Sequence, residues 1–335
     1  MNEYAESLLK LPGTEEEKEW LELRLEMLSV KEGIVLAAAV ERSPPNTMMD
    51  AVNHLLTLEQ YDVVPAGSYE QLGAFYLWNQ CVPQEQRAFF DQSALGQWYE
   101  DEHPGLFVGN CYVAYPERDG PAPYDGQRLP TDDERLDWSV RLKLASQQVP
   151  EGVWVKFPDY DEFEDGRAGD FRLALDALKV NTLTECTLLD ARCVLPCIRN
   201  LASQYASLGD LVYDGQSLGI MLDERGRGSP DYLDRLFAAL DYEYCHRLDE
   251  AVRIAEGLSS YDIISRDKFL DGAMRELSKQ PWAKGGEGVK NCFDYVAYAN
   301  ALAEQQGYSV TDDEQFFIRK RDSPELEPQQ NDMTM

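Results

Sequence analysis

One pattern occurs twice in this chain, two hundred residues apart, and it limits the available folds more than any other feature. Asp50-Ala51-Val52 leads to Leu58 and then Tyr61-Asp62-Val63-Val64; Glu250-Ala251-Val252 leads, with the same spacing, to Leu258 and then Tyr261-Asp262-Ile263-Ile264. The same offset sets Trp98-Tyr99 opposite Tyr298-Ala299. Each site is followed by a glycine and a short aromatic strand, Cys111-Tyr112-Val113-Ala114-Tyr115 or Gln315-Phe316-Phe317-Ile318. A repeated supersecondary unit keeps such spacing where coincidence would not. The expectation is an internal duplication of a helix, short strand, helix, short strand unit. The predicted fold class is α+β: an elongated string of small helix-rich units with short antiparallel strands.

The rest of the chain divides around the repeats. Residues 15–30 read as an amphipathic helix, with Thr14 as N-cap and Glu17 at capping-box spacing. A second apolar helix, about 32–40, stops at Ser43-Pro44-Pro45. Residues 116–135, with Pro116, Pro121, Pro123 and Pro130, read as a linker. Gly152 to Phe157 alternates like a strand that Pro158 ends, and the densest acid cluster, Asp159 to Asp165, follows. A helical pair is predicted next, clearest over Leu188–Tyr205, then a β-hairpin over Leu211–Leu222 turning at Asp214-Gly215. The predicted domains are a first repeat over 1–115, a linker and connecting segment over 116–148, a strand, acidic turn, helical and hairpin domain over 149–240, a second repeat over 241–322, and a disordered tail over 323–335.

Charge bounds the function. Asp and Glu total 61 against 31 Lys and Arg, a formal charge of −30. That far exceeds the roughly 2–8 charges that keep a small domain soluble, and it repels nucleic acid and anionic membranes. A single acidic tail is excluded, because acids run from Glu3 to Glu327. Acidic bias of the host proteome and adaptation to salt stay open, although the seven Cys and many bulky apolar residues fit the latter poorly. With 18 Tyr, 12 Phe and 6 Trp the chain is too aromatic for a disordered polyacid. No run approaches a membrane span, the acidic N-terminus lacks a signal-peptide pattern, and an odd number of scattered Cys gives no disulfide framework. The expected compartment is the reducing cytoplasm.

Signatures of catalysis are sparse. The chain contains no P-loop, no dinucleotide fingerprint, no G-x-S-x-G elbow and no H-E-x-x-H; Gly285-Gly286-Glu287-Gly288 reads as a flexible turn. Of the three His, His54 falls where the second repeat has Ile254 and reads as a core-edge residue, and His103 lies in a turn. Cys245 and His246 are adjacent, and i,i+1 neighbours on a helix do not face each other. Cys193 and Cys197 read as small buried hydrophobes rather than zinc ligands, since Pro196 lies between them and no C-x-x-C occurs. Asp159, Asp161 and Glu162 lack the EF-hand pattern, and a glycosidase-like carboxylate pair stays open among so many acids. The reading is a non-enzyme without catalytic residues, metal or cofactor.

The acids themselves have a use. Duplex DNA carries one charge per about 1.7 Å, so some 30 charges match roughly 50 Å of duplex, on the order of the width of a compact chain this long. Carboxylates at i and i+4 on a helix lie about 6 Å apart, near the phosphate spacing. Such a surface competes for a basic groove by the same counterion release that DNA exploits. The candidate partner-binding residues are Glu100, Asp101, Glu102, Asp132, Asp133, Glu134, Asp159, Asp161, Glu162, Glu164, Asp165, Asp241, Glu243, Asp249, Glu250, Asp312 and Asp313.

Short motifs add a resemblance. Gly152-Val153-Trp154-Val155-Lys156-Phe157-Pro158-Asp159-Tyr160-Asp161-Glu162-Phe163 resembles the N-terminal strand and acidic turn of the ArdA antirestriction proteins. Phe293-Asp294-Tyr295-Val296-Ala297-Tyr298-Ala299-Asn300-Ala301-Leu302 is similar to that family's C-terminal (I/F)DY-x-AYG-x-x-L segment. The first repeat, through Leu95-Gly96-Gln97-Trp98-Tyr99 and Gly109 to Val113, resembles longer ArdA-like proteins of mobile genetic elements. The resemblance implies a cytoplasmic, elongated, often dimeric α+β DNA mimic that blocks type I restriction-modification enzymes for host-defence evasion. Its partners would be the basic DNA groove of such an enzyme and, as a homodimer, a second copy. The chain departs from the family in its doubled length, in Ala299 where glycine is common, and in the insertion from Cys186 to Gly228. Those departures leave another target open, such as a Cas nuclease, and so does a non-catalytic scaffold role for a mobile element.

Overall fold

A computed structural model describes residues 3–117, 120–131, 138–160, 169–226, 229–280 and 293–321. The acids at 132–134 and 161–165, the glycine run at 285–290 and the tail at 323–335 lie outside the described residues. The chain is a mixed helix and strand fold with three small antiparallel sheets. It divides into two compact units, Met1–Asp223 and Glu224–Met335. Among the described residues no helix is long and apolar enough to cross a membrane.

The first unit opens with α1 (Glu3–Leu8), α2 (Glu15–Glu26), α3 (Val30–Arg42) and α4 (Met48–Leu56). Three capping boxes in a row set where the last three begin: Thr14 with Glu17, Ser29 with Glu32, and Thr47 with Asp50. Leu21, Val35, Leu36, Ala38, Ala51, Val52 and Leu55 then pack into one core with Val63, Cys111 and Val113. Those last residues belong to β1 (Asp62–Val64) and β3 (Cys111–Ala114), which with β2 (Gly105–Val108) form a sheet of order β1-β3-β2. Between β1 and β2 run α5 (Tyr69–Asn79), the short α6 (Gln84–Arg87) and α7 (Gln92–Glu102). Gly73 lies against the backbone of Gln92 and Gly96, and Gly96 against the backbone of Tyr69, so α5 and α7 cross in opposite directions at van der Waals distance of their main chains.

The expected linker is a strap. Tyr124 is only 5% exposed inside the helical core, and Asn53 grips its backbone twice, Nδ2 donating to the Tyr124 carbonyl at 3.0 Å and Oδ1 accepting from its N–H at 2.8 Å. Trp20 Nε1 donates to the Pro130 carbonyl at 3.0 Å. His54 Nε2 donates to the Ser43 carbonyl at 2.8 Å.

A second sheet, order β5-β4-β6, is built from β4 (Val140–Ala145), β5 (Val153–Phe157) and β6 (Thr187–Cys193), with α8 (Asp170–Leu178) and α9 (Leu208–Met221) packed against it. Two expectations are corrected here. Leu188–Tyr205 is not a helix: Leu188 to Cys193 pairs with β4, Ala191 opposite Leu142, and only a 3-10 turn, Leu201–Ser203, follows. A partner strand supplied from far along the chain overrides local helical spacing. Nor is Leu211–Leu222 a hairpin. It lies on α9, which Ser207 caps by accepting from the Asp210 N–H. Gly215 serves close packing instead of a turn, since a Cβ there would come within 3.2 Å of Val140; Gly219 meets Pro158 in the same way.

In the second unit, α10 (Pro230–Tyr242) and α11 (Leu248–Glu256) precede β7 (Tyr261–Ser265), α12 (Arg266–Ser278), α13 (Tyr295–Gln305), β8 (Ser309–Val310) and β9 (Phe316–Lys320). Its sheet order, β7-β9-β8, matches β1-β3-β2 strand for strand, and both sheets follow a helix and a 3-10 turn at the two-hundred-residue offset, Leu58–Gln60 and Leu258–Ser260. Further on, the offset slips. The side chains that cap α7 and α13 are Asp91 and Asp294, so Gly96 rather than Tyr99 corresponds to Ala299. The partner helix differs too: a Cβ at Gly272 of α12 would have nothing within 4 Å, so this glycine does not meet a facing main chain as Gly73 does.

Candidate functional site

Helix ends decide which acids are structural. Asp249 and Glu250 stand in the first turn of α11, where the helix dipole favours negative charge, and Asp249 also pairs with Arg247 at 3.0 Å and Arg253 at 3.9 Å. Glu243, at the end of α10, takes Lys320 Nζ at 2.6 Å and the Tyr261 hydroxyl at 2.7 Å. Burial alone would raise its pKa, but these partners hold it below the usual carboxylate value. Asp159 is also occupied. Its carboxylate accepts from the Phe171 N–H at 2.9 Å, capping the first turn of α8, while Gln216 of α9 holds its backbone through two hydrogen bonds of 2.8 Å.

The other described candidates sit where structure alone does not want them. Glu100, Asp101 and Glu102 close α7, which has no basic residue in its last turn. Three carboxylates there oppose the helix dipole, at a typical cost of 0.3–1 kcal/mol each by the general scale. Glu100 accepts from the Tyr69 hydroxyl at 2.7 Å, and that bond, followed by burial and the charges of Glu100 and Asp101, raises the Tyr69 pKa. Asp101 and Glu102 are exposed and unpaired among the described residues.

Asp241, Asp312 and Asp313 are brought together although seventy residues separate them. Asp241 lies in the last turn of α10, again without a basic residue, and its Oδ2 accepts from the Asp312 N–H at 2.7 Å. Asp312 and Asp313 form the β8–β9 turn, which Asp313 shapes by accepting from Thr311 Oγ1 at 2.6 Å and the Gln315 N–H at 2.9 Å. Asp234, two turns before Asp241 on the same helix face, completes a groove of about 390 Å³ floored by Phe237, Ala238 and Phe316. Among the described residues no cation pairs with any of these four carboxylates. The neighbouring Glu314 is the one that takes Arg266, at 2.6 Å.

A second cluster, invisible to sequence reading, lies inside the first unit. Glu32, the capping-box residue of α3, receives Arg141 of β4 through two bonds, Nη1 at 2.7 Å and Nη2 at 3.0 Å, and Lys156 of β5 at 3.4 Å. Burial works to raise the Glu32 pKa, but the charges of Arg141 and Lys156 and the bonds from Arg141 and Ser29 outweigh it and lower it to about 2. Asp170, at the start of α8, shares this interior. The Ser29-x-x-Glu32 spacing was readable; that Arg141, 109 residues away, meets it was not.

Cys193 and Cys197 are half-buried, and Cys111 is buried, which pushes its thiol up to about 11. Among the described residues no group of His, Cys, Asp or Glu is arranged to hold a metal ion. The chain matches no protein-family model, and no curated protein or solved structure is similar to it.

Proposed function

We propose that the chain is a non-catalytic binding protein whose carboxylates occupy the basic DNA groove of a host defence enzyme, first a type I restriction-modification enzyme. The observation that carries this reading is the placement of uncompensated acids at helix C-termini, on α7 and on α10 beside the β8–β9 turn, where they oppose the helix dipole and find no cation. Carboxylates that oppose a helix dipole and find no cation inside the fold are readily explained by an external one. A net charge of −30 and the ArdA resemblance support the same reading. The repeats at 1–115 and 241–322, whose sheets β1-β3-β2 and β7-β9-β8 have equal order, are, in this proposal, copies of one duplicated element.

An interaction role of another kind has one observation in its favour. Phe89 is 87% exposed, and Trp78 and Phe90 are nearly half exposed, at the same end of the α5–α7 pair. Exposed aromatics of this size suit an apolar protein partner better than a DNA groove.

Competition separates the two. A type I restriction-modification enzyme holding labelled duplex is titrated with the full chain at low and at raised salt. Release of DNA near stoichiometry, weakening steeply with salt, is the expected result. Absence of release at large excess removes this target; a Cas nuclease in the same assay then decides whether groove mimicry survives at all. Replacing Asp234, Asp241, Asp312 and Asp313 together with Asn keeps one acceptor oxygen for each turn bond and removes four charges. The expected outcome is at least a tenfold loss of apparent affinity at low salt, about 1.4 kcal/mol or more, with unchanged circular dichroism. Unaltered competition would reassign the binding face.

A further inference from the structure

Asp170 is a buried titratable group that the surface reading does not use. It is 6% exposed, and its Oδ1 has no hydrogen-bond partner. Among the described residues, charged groups face it from the elements packed on it. Helix α3 brings Glu32 and Lys31; β5 brings Lys156; β4 brings Arg141, already bound to Glu32. The stretch before α8 brings Asp159, bonded to the same first turn through the Phe171 N–H. On α8 itself Arg172 and Asp176 pair with each other at the surface. The Ser29 hydroxyl, which also caps α3, bonds to Asp170.

This cluster is built around one carboxylate. Glu32 takes both nitrogens of Arg141 and the ammonium of Lys156, while Asp170 has a single hydroxyl and one empty acceptor site. A second ionised carboxylate in that interior is poorly compensated, and isolated buried charge is costly. We propose that Asp170 is a proton-operated latch: protonated, it lets the first turn of α8 seat against α3 and β5; ionised, it loosens that turn and with it the hold on Asp159. The step breaks one carboxylic O–H bond, leaves the electron pair on the carboxylate and gives the proton to water. It stands independently of the proposed partner.

Burial first, and the negative charge of Glu32 second, push the Asp170 pKa up to about 7, against the Ser29 bond and the charges of Lys156 and Lys31. A carboxyl whose pKa is higher folded than unfolded binds more protons in the folded state. Its contribution to stability is full below its unfolded value, declines as pH rises from there, and is gone once pH passes the folded value. The latch therefore lets go across the neutral range.

The test uses the full chain. Amide hydrogen exchange over 169–178, corrected for intrinsic base catalysis, is followed from about pH 5 to about pH 9 together with the ¹³C shift of the Asp170 carboxyl. The expected result is a carboxyl midpoint near neutrality and roughly a tenfold loss of protection in α8 through it, with α5 and α7 unchanged. Asp170→Asn keeps the protection flat across that range. A midpoint below about pH 5, or protection independent of pH in the unaltered chain, overturns the latch whether or not the variant folds. An Asp170→Asn chain that still loses protection with the same midpoint overturns it too.

Discussion

Arg141→Ala is expected to destabilise the first unit by about 3–5 kcal/mol, because it removes one partner of a buried pair and leaves the other charged. Glu32 is then held only by Lys156 and the Ser29 N–H, and the Met27 carbonyl loses the 2.7 Å bond from Arg141 Nη1. The guanidinium also stacks over Trp138, 5.2 Å from its ring centroid, so packing is lost with the charge. Urea unfolding at several pH values measures the cost and its origin. The Glu32 pKa is lowered in the folded chain, so its stabilisation is present above the ordinary value of 4.5 and fades as pH falls toward about 2. The penalty of Arg141→Ala should shrink over that acidic window. A penalty constant from neutral to acidic pH would mean that lost packing, not the ion pair, sets it. Replacing Glu32 and Arg141 together with Gln and Met should cost less than Arg141→Ala alone, since the buried Glu32 charge goes with its main partner and only the 3.4 Å contact to Lys156 is given up in addition.

Gly96→Ala has the second large effect. The new methyl would be driven into the Tyr69 carbonyl, main-chain atoms that a rotamer change cannot move aside. Overpacking costs typically 1–3 kcal/mol, and a backbone obstacle places this variant at or above the top of that range, about 3 kcal/mol. The α5–α7 pair must spread, and the aromatic contacts across it, Tyr76 on Trp98 and Phe75 on Tyr99, must open. Tryptophan fluorescence and thermal unfolding report both changes. Gly272→Ala in the second unit is the matched control, for its space is empty and φ is ordinary there. Replacing a helical glycine with alanine at such a site stabilises by roughly 0.4–1 kcal/mol. If the two variants behave alike, the close crossing is not what makes Gly96 necessary.

What the sequence could reveal follows the range of the interactions. The cap at Thr14 and Glu17 is settled within four residues, and the helix begins where the spacing places it. The strand at Val153–Phe157 was equally readable, because alternation and a terminating proline are local. Asp214-Gly215 misled for the same reason: the pair is a strong hairpin signal in isolation, yet the glycine answers to Val140, seventy-five positions earlier. Leu188 to Cys193 became a strand because β4 offers it an edge, something no window of nearby residues contains. Among the described candidate acids, Asp241, Asp312 and Asp313 gather without cations from distant parts of the sequence, and only a fold that returns β8 and β9 to α10 brings them together. Asp159 and Glu243 looked the same on paper, but one caps a helix and the other anchors Lys320.

The strap through Tyr124 bears on how the chain is made. Translation delivers the four N-terminal helices and the β1-β3-β2 sheet before residue 115, and domains commonly fold as they emerge. Here the emerging piece is incomplete. Its core keeps a slot for the Tyr124 ring, Asn53 Oδ1 has yet to receive the Tyr124 N–H, and the Trp20 indole waits for Pro130. The chain must be made through Pro130, some fifteen residues further on, before the strap can be laid, and a fragment ended at 115 would lack it.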